Sequence, residues 1–280
     1  MIKKYKIDVG ISIDGYKCIN DCTRIYPDGS SSYESVEKGM KKLYENNILF
    51  GVLFLITKHN VNHLTDILDW CKDVGIDRIG FNTFTPLGYG KEEDLAPDIN
   101  ELTQNVIKEI DWLIEYNQKE INTTRKFIYE REIESYVVRI LNPEKCAHMC
   151  TDIPCGAGKY HLSVDVDGKI NICDCFYGMD DFVIGNINTQ SLDEILQNPL
   201  VQEFNGRTID KLEGCQNCDN HICHGGCPSH NVLFLNSKDG LYKKSYKCNY
   251  YNTIYKYLIQ KLENEHVNPA LLAEMYLEVK

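Results

Sequence analysis

The 280-residue chain has no apolar run of the ~18 residues that a membrane-spanning helix needs. Its N-terminus, Met1-Ile2-Lys3-Lys4-Tyr5-Lys6, is basic, but no apolar core of signal-peptide length follows. Both absences predict a cytoplasmic protein with no membrane partner. A basic excess is also missing: 41 acidic residues face 30 basic ones, for a formal charge of −11. That balance leaves no surplus cations to displace counterions from a phosphate backbone, and argues against a nucleic-acid partner. No internal repeat or low-complexity tract is evident. Cysteine, by contrast, is abundant. There are 13, an odd number, so a purely disulfide-based explanation leaves a thiol over. Cys18, Cys22 and Cys71 are scattered, whereas ten fall between Cys146 and Cys248. In a reducing compartment such crowding points to a metal or a cluster.

The first half alternates strand and helix signals. Tyr5 to Ile13 is an apolar, β-branched run ending at the Asp14-Gly15 turn. Tyr33 to Asn46 has helical spacing after a serine-rich capping region, Ser30-Ser31-Ser32. Leu49 to Thr57 reads as a strand buried on both faces of a parallel sheet. A helix running to Val74 with Gly75 past its end, and a strand over Ile76 to Asn82, complete a β-α-β-α-β order, which implies right-handed crossovers. Residues 83–97 form a loop, and helices are expected from Ile99 to about Tyr116 and from Glu130 to Leu141. With about three parallel strands, the layer is too small for an eight-stranded barrel. After Asn142-Pro143 the texture changes to short strands, glycines and cysteines. A hairpin over His161 to Ile172 turns at Asp167-Gly168, and Ser191-Leu192-Asp193-Glu194 opens a short helix with a capping box. Tyr250 to Leu262 is a helix with an aromatic packing stripe. The domains read as 1–142, 143–264 and a helical tail over 265–280.

The most specific local pattern is Cys215-x2-Cys218-x4-Cys223-x3-Cys227, with Cys248 beyond it. Two cysteines separated by two residues can reach one metal centre. Upstream, Cys150-x4-Cys155 precedes the hairpin and Cys173 follows it. Eight thiols suit two four-cysteine sites, which geometry alone leaves open to two 4Fe–4S clusters or two zinc ions. Asp165 and Asp167 read as turn residues, and Asp180 and Asp181 as loop residues. Any of His161, His221, His224 and His230 could tune a metal centre through hydrogen bonds, although a surface or internally satisfied histidine is the simpler reading of each.

The order Cys155-x12-Gly168-x4-Cys173, then Cys215-x2-Cys218-x4-Cys223-x3-Cys227, then Cys248 resembles the SPASM domain of radical S-adenosylmethionine enzymes that mature peptides or proteins. That family's middle motif usually has five residues, not four, before its third cysteine. The resemblance implies one auxiliary 4Fe–4S cluster on Cys150, Cys155, Cys173 and Cys227, and a second on Cys215, Cys218, Cys223 and Cys248. It leaves Cys146 and Cys175 unassigned. It also implies that the first half is the last part of a radical S-adenosylmethionine (β/α) barrel, followed by a small cysteine-rich α+β domain. Val9 to Gly15, Asp21, Arg24, Asp28-Gly29 and Tyr33 are similar to the fourth barrel strand and its following loop. Arg24 is thereby matched with a residue that contacts S-adenosylmethionine, and Ser12 and Asp14 with the strand end that the cofactor approaches. A turn held by side-chain hydrogen bonds is the alternative for Ser12 and Asp14.

The family's catalytic cluster is held by Cys-x3-Cys-x2-Cys. Here Cys18-x3-Cys22 is followed by Ile25 where the third thiol is required. The expectation is therefore the C-terminal part of a radical peptide-modifying enzyme, inactive alone. Its partners would be a peptide substrate, an electron donor and a separately encoded N-terminal half, and S-adenosylmethionine would bind only in the complemented enzyme. The alternatives are a non-catalytic iron–sulfur module or remnant, and a zinc-stabilised structural domain.

Overall fold

The computed structural model describes residues 1–87, 90, 94–143, 150, 155–223 and 225–277. The chain divides into two compact units, one of Met1–Phe84, Glu93–Val137 and Lys256–Lys280, the other of Thr85–Glu92 and Val138–Tyr255.

The first unit is a parallel α/β layer. A single helical turn, α1 (Ile2–Tyr5), occupies the start of the expected first strand, because Lys6 takes a left-handed conformation and ends it. Strand β1 is only Gly10–Ser12. The turn α2 (Lys17–Asn20) and helix α3 (Tyr33–Glu45) lead to β2 (Gly51–Ile56), whose residues alternate between buried and half-buried instead of being buried on both faces. Helix α4 (Leu64–Val74) buries Leu64, Ile67, Leu68 and Cys71 and stops at Gly75, which takes the positive φ of 78° that glycine allows at low cost. Then follow β3 (Arg78–Thr83), α5 (Ile99–Glu120) and β4 (Tyr129–Glu130). The sheet order is β1-β2-β3-β4, parallel throughout. The fourth strand carries no periodic signal in the sequence, since two residues are too few to show alternation. Glu130 holds that strand in place: its carboxylate accepts from the Phe81 N–H of β3 at 2.9 Å and from the Ile133 N–H of α6 (Arg131–Leu141) at 2.8 Å.

The expected tail over 265–280 is not a separate helical segment. Pro269–Leu271 and Glu274–Tyr276 are 3-10 turns, and Ala270, Leu271, Leu272 and Ala273 are buried. The tail joins the parallel unit because Asn117 donates to the Leu271 carbonyl at 2.7 Å and Tyr129 to that of Ala270 at 2.9 Å.

In the second unit β5 (Ser163–Val164), β6 (Lys169–Asn171) and β7 (Val183–Asn186) form an antiparallel sheet in that order. The expected hairpin is its first two strands. Asp165 Oδ1 accepts the N–H groups of Asp167 and Lys169, both at 2.9 Å, and Gly168 supplies φ +79°. Behind the sheet pack α7 (Leu192–Leu196), opened by the Ser191/Glu194 capping box, and α8 (Pro199–Asn205). Phe176 and Phe182 stack at 3.8 Å between ring centroids, with Phe204 edge-on at 5.8 Å to Phe176, and Cys155 and Cys173 lie against this core. Helices α9 (Pro228–Leu235) and α10 (Cys248–Ile259) follow, the latter passing from the second unit into the first at residue 255.

Candidate metal centres

The cysteines of the second unit converge in two groups. Cys215, Cys218, Cys223 and Cys248 line one cavity together with Gly214, Asn220, Gly225, Lys244 and Ser245. The backbone brings them there. Glu213 N–H donates to the Tyr242 carbonyl at 2.7 Å and Lys244 N–H to that of Glu213 at 3.1 Å, which lays the Cys215 segment against the approach to Cys248. The turn Cys215 to Cys218 is closed by a 3.1 Å backbone bond. Its thiol and that of Cys223 point at one acceptor, the Asn220 carbonyl, at 3.6 and 3.8 Å. Asn220 also donates to Asn252 at 2.8 Å, and Asn252 reaches the Cys248 sulfur at 3.7 Å.

The second group joins Cys150, Cys155, Cys173, Cys175 and Cys227. Cys150 is exposed as a residue, but protein packed around its sulfur, and next the charges of Cys227, Cys155 and Cys175, push the thiol up to about 12. Cys155 is pushed up to about 11, first by burial and next by Cys227. Cys227 is raised by burial and then by Cys175, while Ser229 Oγ lies 3.0 Å from its sulfur. The Cys173 thiol donates to Asp174 Oδ1 at 3.1 Å, and the closeness of Cys175 raises Cys173 while Cys173 lowers Cys175. Thiols so close cannot all ionise in an apolar setting unless a cation gathers their charge. The donor set is all sulfur, which fits an iron–sulfur cluster and also zinc.

Cys215, Cys218, Cys223 and Cys248 share one cavity, while Cys150, Cys155, Cys173 and Cys227 are linked through their charges, with Cys175 among them. Cys146 and His224, and the side chain of His221, lie outside what is described. His161 Nε2 lies 3.2 Å from Asp174 Oδ1, and those two with Cys173 bring ligand atoms within 4.8 Å of one another. His230 is pushed down to about 3 by burial and by Lys247, so it stays neutral. Asp180 pairs with Lys169 at 3.2 Å. Sequence reasoning missed Arg207, which is 5% exposed and has the thiols of Cys155, Cys227 and Cys215 as its leading charge partners. A lone arginine after a short helix offers no motif that could have revealed it.

In the parallel unit the strand-end residues separate. Ser12 is exposed. Asp14, at 1% exposure, spends both oxygens internally: Oδ1 accepts from the Leu55 N–H at 3.0 Å and lies 2.9 Å from Arg24 Nε off hydrogen-bond alignment, and Oδ2 accepts from Thr23 at 2.6 Å. Asp14 therefore organises the loop that carries Arg24. Cys18 and Cys22 are exposed on that same loop, the Cys22 thiol donating to the Cys18 carbonyl at 3.3 Å, and Ile25 is exposed as well.

Residues 155–219 match the SPASM domain, described as an iron–sulfur cluster-binding domain. A Synechocystis protein of uncharacterised function is 25% identical over 82% of the chain, and the cysteine-type anaerobic sulfatase-maturating enzyme of Clostridium novyi is 23% identical over 78%. The chain spans 57% of the length of each. The solved structure of anSMEcpe with bound AdoMet and the Cp18Cys peptide superposes with a TM-score of 0.80 at 21% identity, covering 94% of this chain and 70% of that one. At that identity the superposition establishes the fold alone, a parallel α/β layer followed by a cysteine-rich unit. Over residues 155–219 the chain matches the SPASM iron–sulfur cluster-binding domain, and over most of its length it is similar in sequence to the anaerobic sulfatase-maturating enzymes.

Proposed function

We propose that this chain is the auxiliary-cluster-bearing part of a radical S-adenosylmethionine enzyme that modifies a peptide or protein. Cys215, Cys218, Cys223 and Cys248 would hold one 4Fe–4S cluster, and Cys150, Cys155, Cys173 and Cys227 the other. The observation that carries this reading is the single cavity lined by the first four thiols. Clusters of this kind supply one-electron transfer or a binding site for substrate. Ser12 and Arg24 would face S-adenosylmethionine, with Asp14 acting through Arg24. A peptide substrate is supported by the sulfatase-maturating relatives. The cluster that cleaves S-adenosylmethionine would be held by a Cys-x3-Cys-x2-Cys segment outside these 280 residues, whether in the same polypeptide or in a partner, with an electron donor besides.

A second reading, a non-catalytic iron–sulfur module, is favoured by Ile25 standing exposed where a third thiol is needed. Anaerobic reconstitution tests the common ground: the protein is expected to bind about eight irons and about eight sulfides. Two tightly bound zinc ions with no sulfide in a fully folded protein would refute both readings. The chain alone is expected to release no 5′-deoxyadenosine above background, and turnover abolished by Cys18→Ala would overturn the assignment of Cys18 and Cys22 as loop residues. Adding a segment that carries the missing motif is expected to restore cleavage, and failure to do so would favour the module.

A further inference from the structure

We propose that Arg207 is a charge bridge shared by the two cysteine groups: its buried guanidinium directs a free N–H donor between them and stabilises the reduced state of both clusters. This rests on the two-cluster reading.

Local structure sends the side chain inward. Helix α8 ends at Asn205, the chain turns at Gly206, and Arg207 N–H closes the turn on the Phe204 carbonyl at 3.2 Å. At 5% exposure the guanidinium is out of water. Its Nε donates to the Leu241 carbonyl at 2.7 Å, which fixes the plane of the fork. The Nη2 atom is buried and has no hydrogen-bond partner among the described residues. A buried guanidinium N–H without an acceptor is more costly than a neutral one, so an unused donor here calls for an acceptor on the side it faces.

Thiols are the leading charged neighbours of the guanidinium. The thiols nearest in electrostatic effect are Cys155 and Cys227 from the upstream group and Cys215 from the downstream one. Gly225, which lines the downstream cavity, leaves room for the approach: a Cβ added there would sit 3.6 Å from Arg207 Nη2 and 2.2 Å from Leu212 Cδ1, and its φ is +70°. Arginine keeps its charge in any such setting. A 4Fe–4S cluster on four thiolates is anionic and gains one more negative charge when it accepts an electron. No bond forms or breaks and no proton moves in that step, and the electron comes from the reductant supplied. A fixed cation and a donor to sulfur both favour the reduced form, and charge and hydrogen bonds to sulfur are among the factors that set cluster potential. The placement of Arg207 by both groups makes the effect common to them. Arg207 is thus a positioning residue, acting through the clusters.

The test is an EPR-monitored redox titration of the anaerobically reconstituted full chain as the parent, Arg207→Gln and Arg207→Lys, with iron and sulfide counted in each. A parent with zinc and no sulfide defeats the two-cluster reading itself, before Arg207 is addressed. With the parent loaded, Arg207→Gln is expected to keep its iron and to lower the reduced-to-oxidised ratio of both clusters at least tenfold at a given potential, about 59 mV for a one-electron couple. Arg207→Lys is expected to stay within about threefold of the parent, because it keeps the charge. Unchanged potentials in a loaded Arg207→Gln protein, or a shift in one cluster only, overturn the proposal. If Arg207→Gln loses its iron, Arg207→Lys decides: a loaded protein near the parent potentials supports the bridge. Loss of iron there too, or a tenfold shift, reduces Arg207 to a fork that holds Leu241.

Discussion

Cys227 follows Cys223 by four residues, yet the two sulfurs belong to different groups. Gly225 and Gly226 make this possible, with φ of +70° and +69°, a pair of left-handed residues that reverses the chain between one ligand and the next. Losing Cys227 should therefore release a loop closed across more than ~50 residues along with one cluster, at a cost set by metal-coupled folding. Iron in Cys227→Ala is expected to fall by about half, whereas Cys175→Ala keeps a near-parent value. The structure sharpens that comparison, because Cys175 lies beside Cys173 and brings the upstream group to five thiols where a four-cysteine site needs four. Iron and sulfide per chain in the two variants decide it, and equal losses would give Cys175 the place assigned to Cys173. The grouping of the downstream cysteines was legible because thiols two to four residues apart fall on one cavity. Ser229 and Arg207 were not, since a hydroxyl or a guanidinium near a thiol leaves no periodicity in sequence.

At the scale of elements, the β4–α6 junction stores a pH dependence. Burial, and after it the Glu132 charge, pushes Glu130 up to about 7, while Glu109 on α5 is raised well above the usual carboxylate range, chiefly by burial and then by Glu130. A carboxyl whose folded value lies above its unfolded one binds more protons when folded. Its stabilisation is complete below the unfolded value, near ~4.3, and is lost as pH rises through ~7. The parallel unit should thus lose about 1 kcal/mol between pH 6 and pH 8 from Glu130, and Glu130→Gln should flatten the dependence. Unfolding followed by the circular dichroism of that unit measures both. A profile unaltered by Glu130→Gln would place the titration elsewhere. The longer elements, α3, α4 and α5 with β2 and β3, were legible because their apolar residues repeat over several turns or alternations. The two-residue β4, the short β7 and the shortened β1 were not, being made by partners: Glu130 anchors the first to β3, and β6 recruits the second.

At the scale of the whole molecule, the two units should respond differently to metal removal. The parallel unit buries apolar side chains from β2, β3, α4 and α5, whereas the second has the cluster around Phe176, Phe182 and Phe204, with Cys155 and Cys173 packed against it. Anaerobic chelation of the reconstituted protein is expected to raise hydrogen exchange strongly over residues 170–186 and 213–250 while leaving 52–56 and 79–83 protected. Uniform loss across both units would mean that the clusters hold the entire fold. The sequence by itself determined the class of each half, through helical and strand periods in the first and cysteine spacing in the second, since both are local statistics of the chain. Tertiary structure alone decided that the tail after residue 265 packs on the parallel unit, that Cys175 lies among the upstream thiols, and that Arg207 is buried with thiols as its leading charged neighbours. Those contacts join residues far apart in the chain, and their energy exists only once the backbone has brought them together.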